Sequence, residues 1–166
     1  MKVVYIGGKQ AGCVGLLTVL SLGYRVKGVV SYDSLLTNLS SLYNLPVYTS
    51  IKYEEVARLL SESDLLVSVH GREIVPQELL DLPYIGCINA HPCLAMYKGA
   101  HPVQRLLEDK GRLASVGVHR MTAEVDCGEV LSEIFVDVTG KKSVEEIYNA
   151  LYPYYSMALV EALEKV

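Results

Sequence analysis

The sequence has little of what would place it outside an aqueous compartment. No apolar run reaches the 18 residues that a membrane span needs, and the N-terminal stretch MKVVYIGGKQ offers one lysine and a short apolar run stopped by a glycine pair. That is too short for a signal peptide. Four cysteines, Cys13, Cys87, Cys93 and Cys127, are too few and too unevenly spaced for a disulfide framework, so reduced thiols and a cytoplasmic setting are expected. Basic residues are outnumbered: 15 Lys and Arg against 19 Asp and Glu leave a formal charge of −4. This balance argues against a broad surface for the phosphate backbone of nucleic acid, although a local pocket can still hold one anion. Internal repeats and low-complexity linkers are absent. What is present is an ordinary globular composition, 51% apolar and 20% charged, and 166 residues able to bury a core as one domain spanning 1–166.

Short apolar runs alternate with stretches of helical spacing. VVYI (3–6), stopped by Gly7 and Gly8, reads as a buried strand, and residues 12–23 follow with apolar positions at helical intervals. Strands are expected at 24–33, 45–49, 64–70 and 84–91, with helices at 34–42, 52–63 and 76–82 between them. This alternation predicts an α/β fold: a Rossmann-like, open, mostly parallel sheet flanked by helices. After a helix near 101–109 the pattern changes. Residues 114–122 and 129–138 predict two strands joined by AEVDCG, an antiparallel pair near the C-terminus. A closing helix over 143–166 carries a capping-box signature at Ser143 and Glu146, and Pro153 should kink it. Its tyrosine-rich surface could cover this chain's own sheet or that of a second copy, so a homo-oligomer stays open.

Ligands of such sheets sit beyond the carboxyl ends of the strands. Three segments fall there: GGKQAG (7–12), HGREIVP (70–76) and NAHP (89–92). The glycine segment matches neither G-x-G-x-x-G nor the phosphate-cradling G-x-x-x-x-G-K-[ST]. It is either a tight strand-to-helix turn or an anion site at a helix start, with Gly8 and Lys9 as its ligands.

In a strand over 84–91, Asn89 and His91 share a face with attachment points roughly 6–7 Å apart. Four readings fit. A plain strand end would explain Asn89 and Pro92 but not the histidine. A zinc site would draw on Cys87, His91, Cys93, His101 and Cys127, yet neither C-x-x-C nor H-x-x-x-H is present. A Cys93 nucleophile would need a third group to orient its base. In acyl-group chemistry, the Asn89 amide and a protonated His91 would stabilise an oxyanion while a carboxylate orients the imidazole. Asp126, in the loop EVDCG, is the best candidate for that carboxylate.

NAHP, YKGAHPVQRLL (97–107) and SVGVHRMTAEVDCGEVL (115–131) together resemble the N-terminal catalytic domain of the folate-dependent N-formyltransferases. That family includes glycinamide ribonucleotide transformylase, methionyl-tRNA formyltransferase and the sugar-nucleotide N-formyltransferases. The resemblance covers about the whole chain and implies the same Rossmann-like sheet. It implies 10-formyltetrahydrofolate as co-substrate, no metal, and Asn89, His91 and Asp126 as the catalytic trio. Gly71, Arg72 and Ile74 would line the folate pocket, with Thr122, Ala123 and Glu124 in the loop that closes over it. Gly8, Lys9 and Tyr97 are expected on the acceptor side. His119 also matches a family histidine, with a plain strand role equally open.

Two departures bear on the acceptor. The family's Ser-Leu-Leu-Pro loop is CLAM (93–96) here, one residue shorter, and the Ser-Asn-Leu that follows the glycines in glycinamide ribonucleotide transformylases is missing. No RNA-binding module follows residue 166, which with the acidic balance favours a small amine acceptor over nucleic acid. An amino-sugar nucleotide ranks first, glycinamide ribonucleotide second and methionyl-tRNA third. The rival from another class is a non-catalytic nucleotide- or folate-binding module, which would have no need of a carboxylate facing His91.

Overall fold

A computed structural model describes residues 1–166. The chain runs β1 (Lys2–Gly7), α1 (Lys9–Ser21), β2 (Arg25–Ser31), α2 (Ser34–Leu42), β3 (Val47–Tyr48), α3 (Glu54–Ser61), β4 (Leu65–Val69), α4 (Gln77–Leu80), β5 (Gly86–Pro92), α5 (Pro102–Glu108), β6 (Leu113–Arg120), β7 (Val130–Asp137) and α6 (Val144–Leu163). Seven strands form one sheet in the order β3-β2-β1-β4-β5-β6-β7. The first five are parallel, and β5, β6 and β7 pair antiparallel in turn. No helix is long and apolar enough to cross a membrane.

Side chains of the central strands alternate between two apolar layers, as strands buried on both faces must. Val3, Tyr5, Leu65, Val67, Ile88 and Ala90 enter the larger layer under α1, α5 and α6. Val4, Ile6, Leu66 and Cys87 enter the smaller one under α3 and α4. In α6 the stripe Ile147, Leu151, Tyr155 and Leu159 is buried at helical spacing. Each such side chain is worth roughly 1.5–3 kcal/mol of burial. The tyrosine-rich helix therefore covers its own sheet, and it runs unbroken through Pro153. Ser143 caps it by accepting from the Glu146 N–H, while the Glu146 carboxylate accepts from the Lys142 N–H.

Two boundaries differ from expectation. Helix α1 begins at Lys9, three residues early, because the Asp33 carboxylate accepts from the Lys9 N–H (2.5 Å) and satisfies that helix start. The same carboxylate caps α2 through the Leu36 N–H (3.0 Å). Gly15 lets α1 lie against β1, since a Cβ there would collide with the Tyr5 hydroxyl and Val69. Strand β3 is cut to two residues. In β7 the register with β6 slips between Val118 and His119, which buries Leu131 beside Ser132.

The strand order reverses between β1 and β4, which puts the topological switch point at Gly7 and Val69. The face of β5 carrying Asn89 and His91 belongs to the smaller layer, where α4 is only four residues long. The carboxyl end of that face is left open.

Candidate active site

Strand register assembles the first half of the site. In the β5–β6 ladder Asn89 faces His119 and His91 faces Gly117. The Asn89 Nδ2 lies 3.3 Å from His119 Nε2, and His119 Nδ1 lies 2.8 Å from the Arg120 carbonyl, to which it donates. The β6–β7 loop supplies the carboxylate. Gly128 brings that loop onto the end of β6, where a Cβ would overlap the Arg120 carbonyl. Two residues earlier Asp126 turns inward with φ 55° and is buried.

The Asp126 carboxylate bridges both imidazoles. Oδ2 is 3.1 Å from His91 Nε2 and accepts from the Gly99 N–H at 2.8 Å, and Oδ1 is 3.3 Å from His119 Nε2. His91 Nε2 also faces the Gly99 carbonyl at 3.1 Å. With two acceptors before it, Nε2 carries a proton. His91 Nδ1 is left as the one buried side-chain nitrogen or oxygen without a hydrogen-bond partner. The protein itself supplies no partner for this atom, which faces the wall shared by two cavities. Burial pushes the Asp126 carboxyl up, but hydrogen bonds from His119, His91 and Gly99 and the nearby His91 charge hold it well below the usual carboxylate range. Asp126 is a fixed negative charge at every working pH.

A downward shift also marks His70, at the carboxyl end of β4, but there it removes the charge. Burial, then the charges of Lys9 and His91, push its imidazole down to about 4. Its Nε2 pairs with the Tyr155 hydroxyl at 2.8 Å, so His70 is a neutral wall residue near neutral pH. Of the seven non-glycine residues with positive φ, Lys9, His70, His101 and Asp126 border the site. Strained backbone gathers where geometry is demanded.

Two cavities meet here. One, of about 340 Å³, is bounded by Gly71, Arg72, Ile74, Met121, Thr122 and Val125 with the Asn89–His91–Asp126 group at its end. The backbone of Gly71–Val75 makes no backbone hydrogen bonds, leaving N–H and C=O groups for a flat heteroaromatic edge. Glu73 anchors that lip, accepting from the Ser50 hydroxyl (2.6 Å), the Ile51 N–H (2.9 Å) and the Tyr32 hydroxyl (2.9 Å). The second cavity, about 240 Å³, is bounded by Lys9, His70, Arg72, His101 and Tyr148. Asn89 and His91 belong to the walls of both.

The structure brings Asn89, His91, Asp126, Gly71, Arg72, Ile74, Thr122 and Lys9 together. Ala123 and Glu124 line neither cavity, because the loop presents Val125 in their stead. Gly8 is covered by Asp33, whose Oδ2 lies 2.9 Å from where a Cβ would be. Tyr97 points into the larger apolar layer and donates to Asp109 at 2.7 Å, away from both cavities. Cys87 and Cys93 lie in opposite layers, and no group of three or more His, Cys, Asp or Glu side chains is placed to hold a metal. His70 lies in the HGREIVP segment but was given no role of its own, and Tyr148 carried no motif. His70 was detectable as the residue that follows β4 and opens that segment, and Tyr148 not at all.

Fold and site together define an open α/β domain with a two-sided ligand cleft at its switch point, closed on one side by a buried imidazole–carboxylate pair. Residues 49–163 match the family model described as formyl transferase, and the chain belongs to that family. Methionyl-tRNA formyltransferase of Rickettsia bellii (strain RML369-C) is 25% identical across 100% of this chain and 60% of its own length. That of Chromohalobacter salexigens is 30% identical over 99% of this chain and 56% of its own length. The chain thus spans between 56% and 60% of these two relatives. Phosphoribosylglycinamide formyltransferase from Streptococcus pneumoniae TIGR4 shares the fold at a TM-score of 0.81 and 18% identity, over 99% of this chain and 98% of that one.

Proposed function

We propose that this chain transfers a formyl group from 10-formyltetrahydrofolate to a primary amine of a small acceptor. The observation that carries this reading is the position of Asn89 and His91 in the shared wall of two cavities, with the Asp126 carboxylate 3.1 Å from His91. A group-transfer enzyme needs donor and acceptor to meet at one set of charge-stabilising donors. A binding module needs neither the shared wall nor the buried carboxylate.

The chemistry follows from the atoms. The amine nitrogen attacks the formyl carbon, a C–N bond forms, and the carbonyl oxygen becomes an oxyanion. An Asn89 Nδ2–H and the Nδ1–H of protonated His91 stabilise it, Nδ1 being the nitrogen that lacks a partner. Asp126 holds the His91 Nε2–H and so keeps the ring oriented with Nδ1 toward the reacting carbon. As the intermediate collapses, the bond to N10 breaks, the attacking amine loses a proton, and N10 gains one. The unpaired backbone lip at Gly71–Val75 would receive the pteridine. Loss of one such donor lowers kcat by about 10²–10³, so Asn89→Ala and His91→Ala should each fall in that range.

Among acceptors, an amino-sugar nucleotide is the first choice, glycinamide ribonucleotide the second and methionyl-tRNA the third. The second cavity is compact, which suits a small acceptor, while the names of the relatives favour the tRNA. To test the reading, the protein is incubated with 10-formyltetrahydrofolate labelled in the formyl group and a small-molecule extract. Mass spectrometry then looks for labelled formamides. A labelled product absent with His91→Ala supports the reading. Folate binding without transfer to extract, glycinamide ribonucleotide or methionyl-tRNA would establish the binding module.

A further inference from the structure

Charge is unevenly spread along the chain. Residues 10–24 and 34–51 contain no Asp, Glu, Lys or Arg, although the chain has 15 basic and 19 acidic residues. These stretches hold all of α1 beyond Lys9 and the whole of α2. The two helices lie side by side over the larger apolar layer. Their inward sides are spent there: Leu16 and Val19 of α1 and Leu36 of α2 are fully buried. Their outward sides are apolar too. Leu42 is 79% exposed, Leu35 47% and Leu17 40%, and Tyr43 adds a half-exposed ring. Leu35, Leu39 and Leu42 follow one another at intervals of four and three, the spacing of a seam between paired helices. A helix at the surface normally carries charge on the side away from the core. Helix α3 does so, with Glu54, Glu55 and Arg58. Helices α1 and α2 do not. On the other flank of α1, the Thr18 and Ser156 hydroxyls pair at 2.9 Å, so α6 continues the face and adds the half-exposed Met157.

Chemistry narrows what can cover this face. Nucleic acid or an anionic membrane would need cations, and Lys9 at the cleft rim is the one cation of the two helices. A protein held by opposite charge would find nothing to pair with. A two-fold axis sets a surface against its own copy, so a charge near the axis meets its like. A face without charge escapes that penalty, and depletion of charge marks the core of an interface. Helix α1 has 13 residues and α2 has 9. With the adjoining turns of α6 the face spans about 20 by 30 Å, or roughly 600 Å² in projection. Accessible area exceeds projection, so this extent matches the roughly 800 Å² that each partner gives to a stable interface.

We propose that this face pairs with the same face of a second copy of the chain about a two-fold axis, with Leu17, Leu35 and Leu42 at its core. The pairing stands apart from the formyl-transfer reading and is tested without turnover.

Sedimentation velocity of the full chain, run from micromolar to hundred-micromolar concentration, provides the test. The parent should reach twice the monomer mass and dissociate reversibly on dilution. Leu35→Glu and Leu42→Glu each bury a charge among leucines and set it toward its like in the second copy. Each should weaken association at least about 100-fold. Phe135→Glu, at an exposed position of the edge strand β7, should leave association unchanged and so separates this pairing from one through the sheet edge. Thermal melts show whether each variant is folded. A second readout needs no variant: on dilution of ¹⁵N-labelled parent, backbone amide shifts should move within 10–24 and 34–45 and hold still within 130–137. A parent that is monomeric at every concentration, a dimer that survives both leucine variants, or dilution shifts confined to β7 would overturn the proposal.

Discussion

Asp33 and Asp126 are both carboxylates at the edge of the cleft, and their surroundings give them different work. Asp33 is spent on backbone: it accepts from the Lys9 and Leu36 N–H groups and so starts two helices at once. Its carboxyl is held below the ordinary range, burial working against the hydrogen bonds from Lys9 and Leu36. Asp33→Ala removes both acceptors, and loss of a cap of this kind costs about 1–2 kcal/mol. Urea denaturation should show that loss, and Asp33→Asn, which can keep one acceptor, should lose less. Asp126 is spent on side chains. Asp126→Asn keeps the size and the Gly99 contact but removes the charge that pairs with His91 Nε2. Formyl transfer in this variant should drop by at least about 10², as with loss of an oxyanion donor. The rate is measured on protein shown to be folded, since loss of the buried carboxylate charge should lower the melting temperature as well. An Asp126→Asn protein with full activity would remove Asp126 from the mechanism.

Asn89 and His91 are placed by strand β5, whereas Asp126 and the donor lip sit on loops, and each loop depends on a single anchor. Gly128 permits the β6–β7 loop to touch the Arg120 carbonyl, so Gly128→Ala must push Asp126 away from the imidazoles. A displacement of about 1 Å costs about a hundredfold in rate, which a kcat measurement on folded Gly128→Ala protein would detect. Glu73 ties the donor lip to Tyr32, Ser50 and Ile51. Glu73→Ala frees the lip; KM for the folate should rise about tenfold, equivalent to about 1.4 kcal/mol, with kcat little changed. These anchors also explain what could be read from the chain beforehand. Strand and helix order was legible because the alternation of apolar residues reports burial locally. Asn89, His91 and Asp126 stood out as candidates by residue type, side chains that the fold then brings together. The start of α1 was not legible, since it depends on a carboxylate 24 residues away. The burial of Leu131 beside Ser132 was not legible either, because a register slip cannot be seen in one strand alone. Tyr148 reaches the cavity through the docking of α6, which no local pattern reports.

The packing of α6 against the sheet also sets how the fold answers to acid. His70 is enclosed by Tyr148 and Tyr155 from that helix, with the charges of Lys9 and His91 on its other sides. Folded, its imidazole titrates near 4, whereas in the unfolded chain it titrates near 6.5. Between these values the unfolded state holds a proton that the folded state refuses, so stability must fall as pH drops from about 6.5 to about 4. The gap corresponds to at most about 3 kcal/mol, a large share of the stability of a domain this size. Asp126 acts in a lower window: its depressed carboxyl contributes fully above about 4, and that contribution is lost only as pH falls further. Urea midpoints measured between pH 7.5 and 4.5 should therefore decline, and the decline should flatten in His70→Gln, which cannot take up a proton. Parallel slopes in the two proteins would mean that the imidazole can charge without disturbing the Tyr155 contact, and that α6 moves more freely over the cleft than its packing suggests.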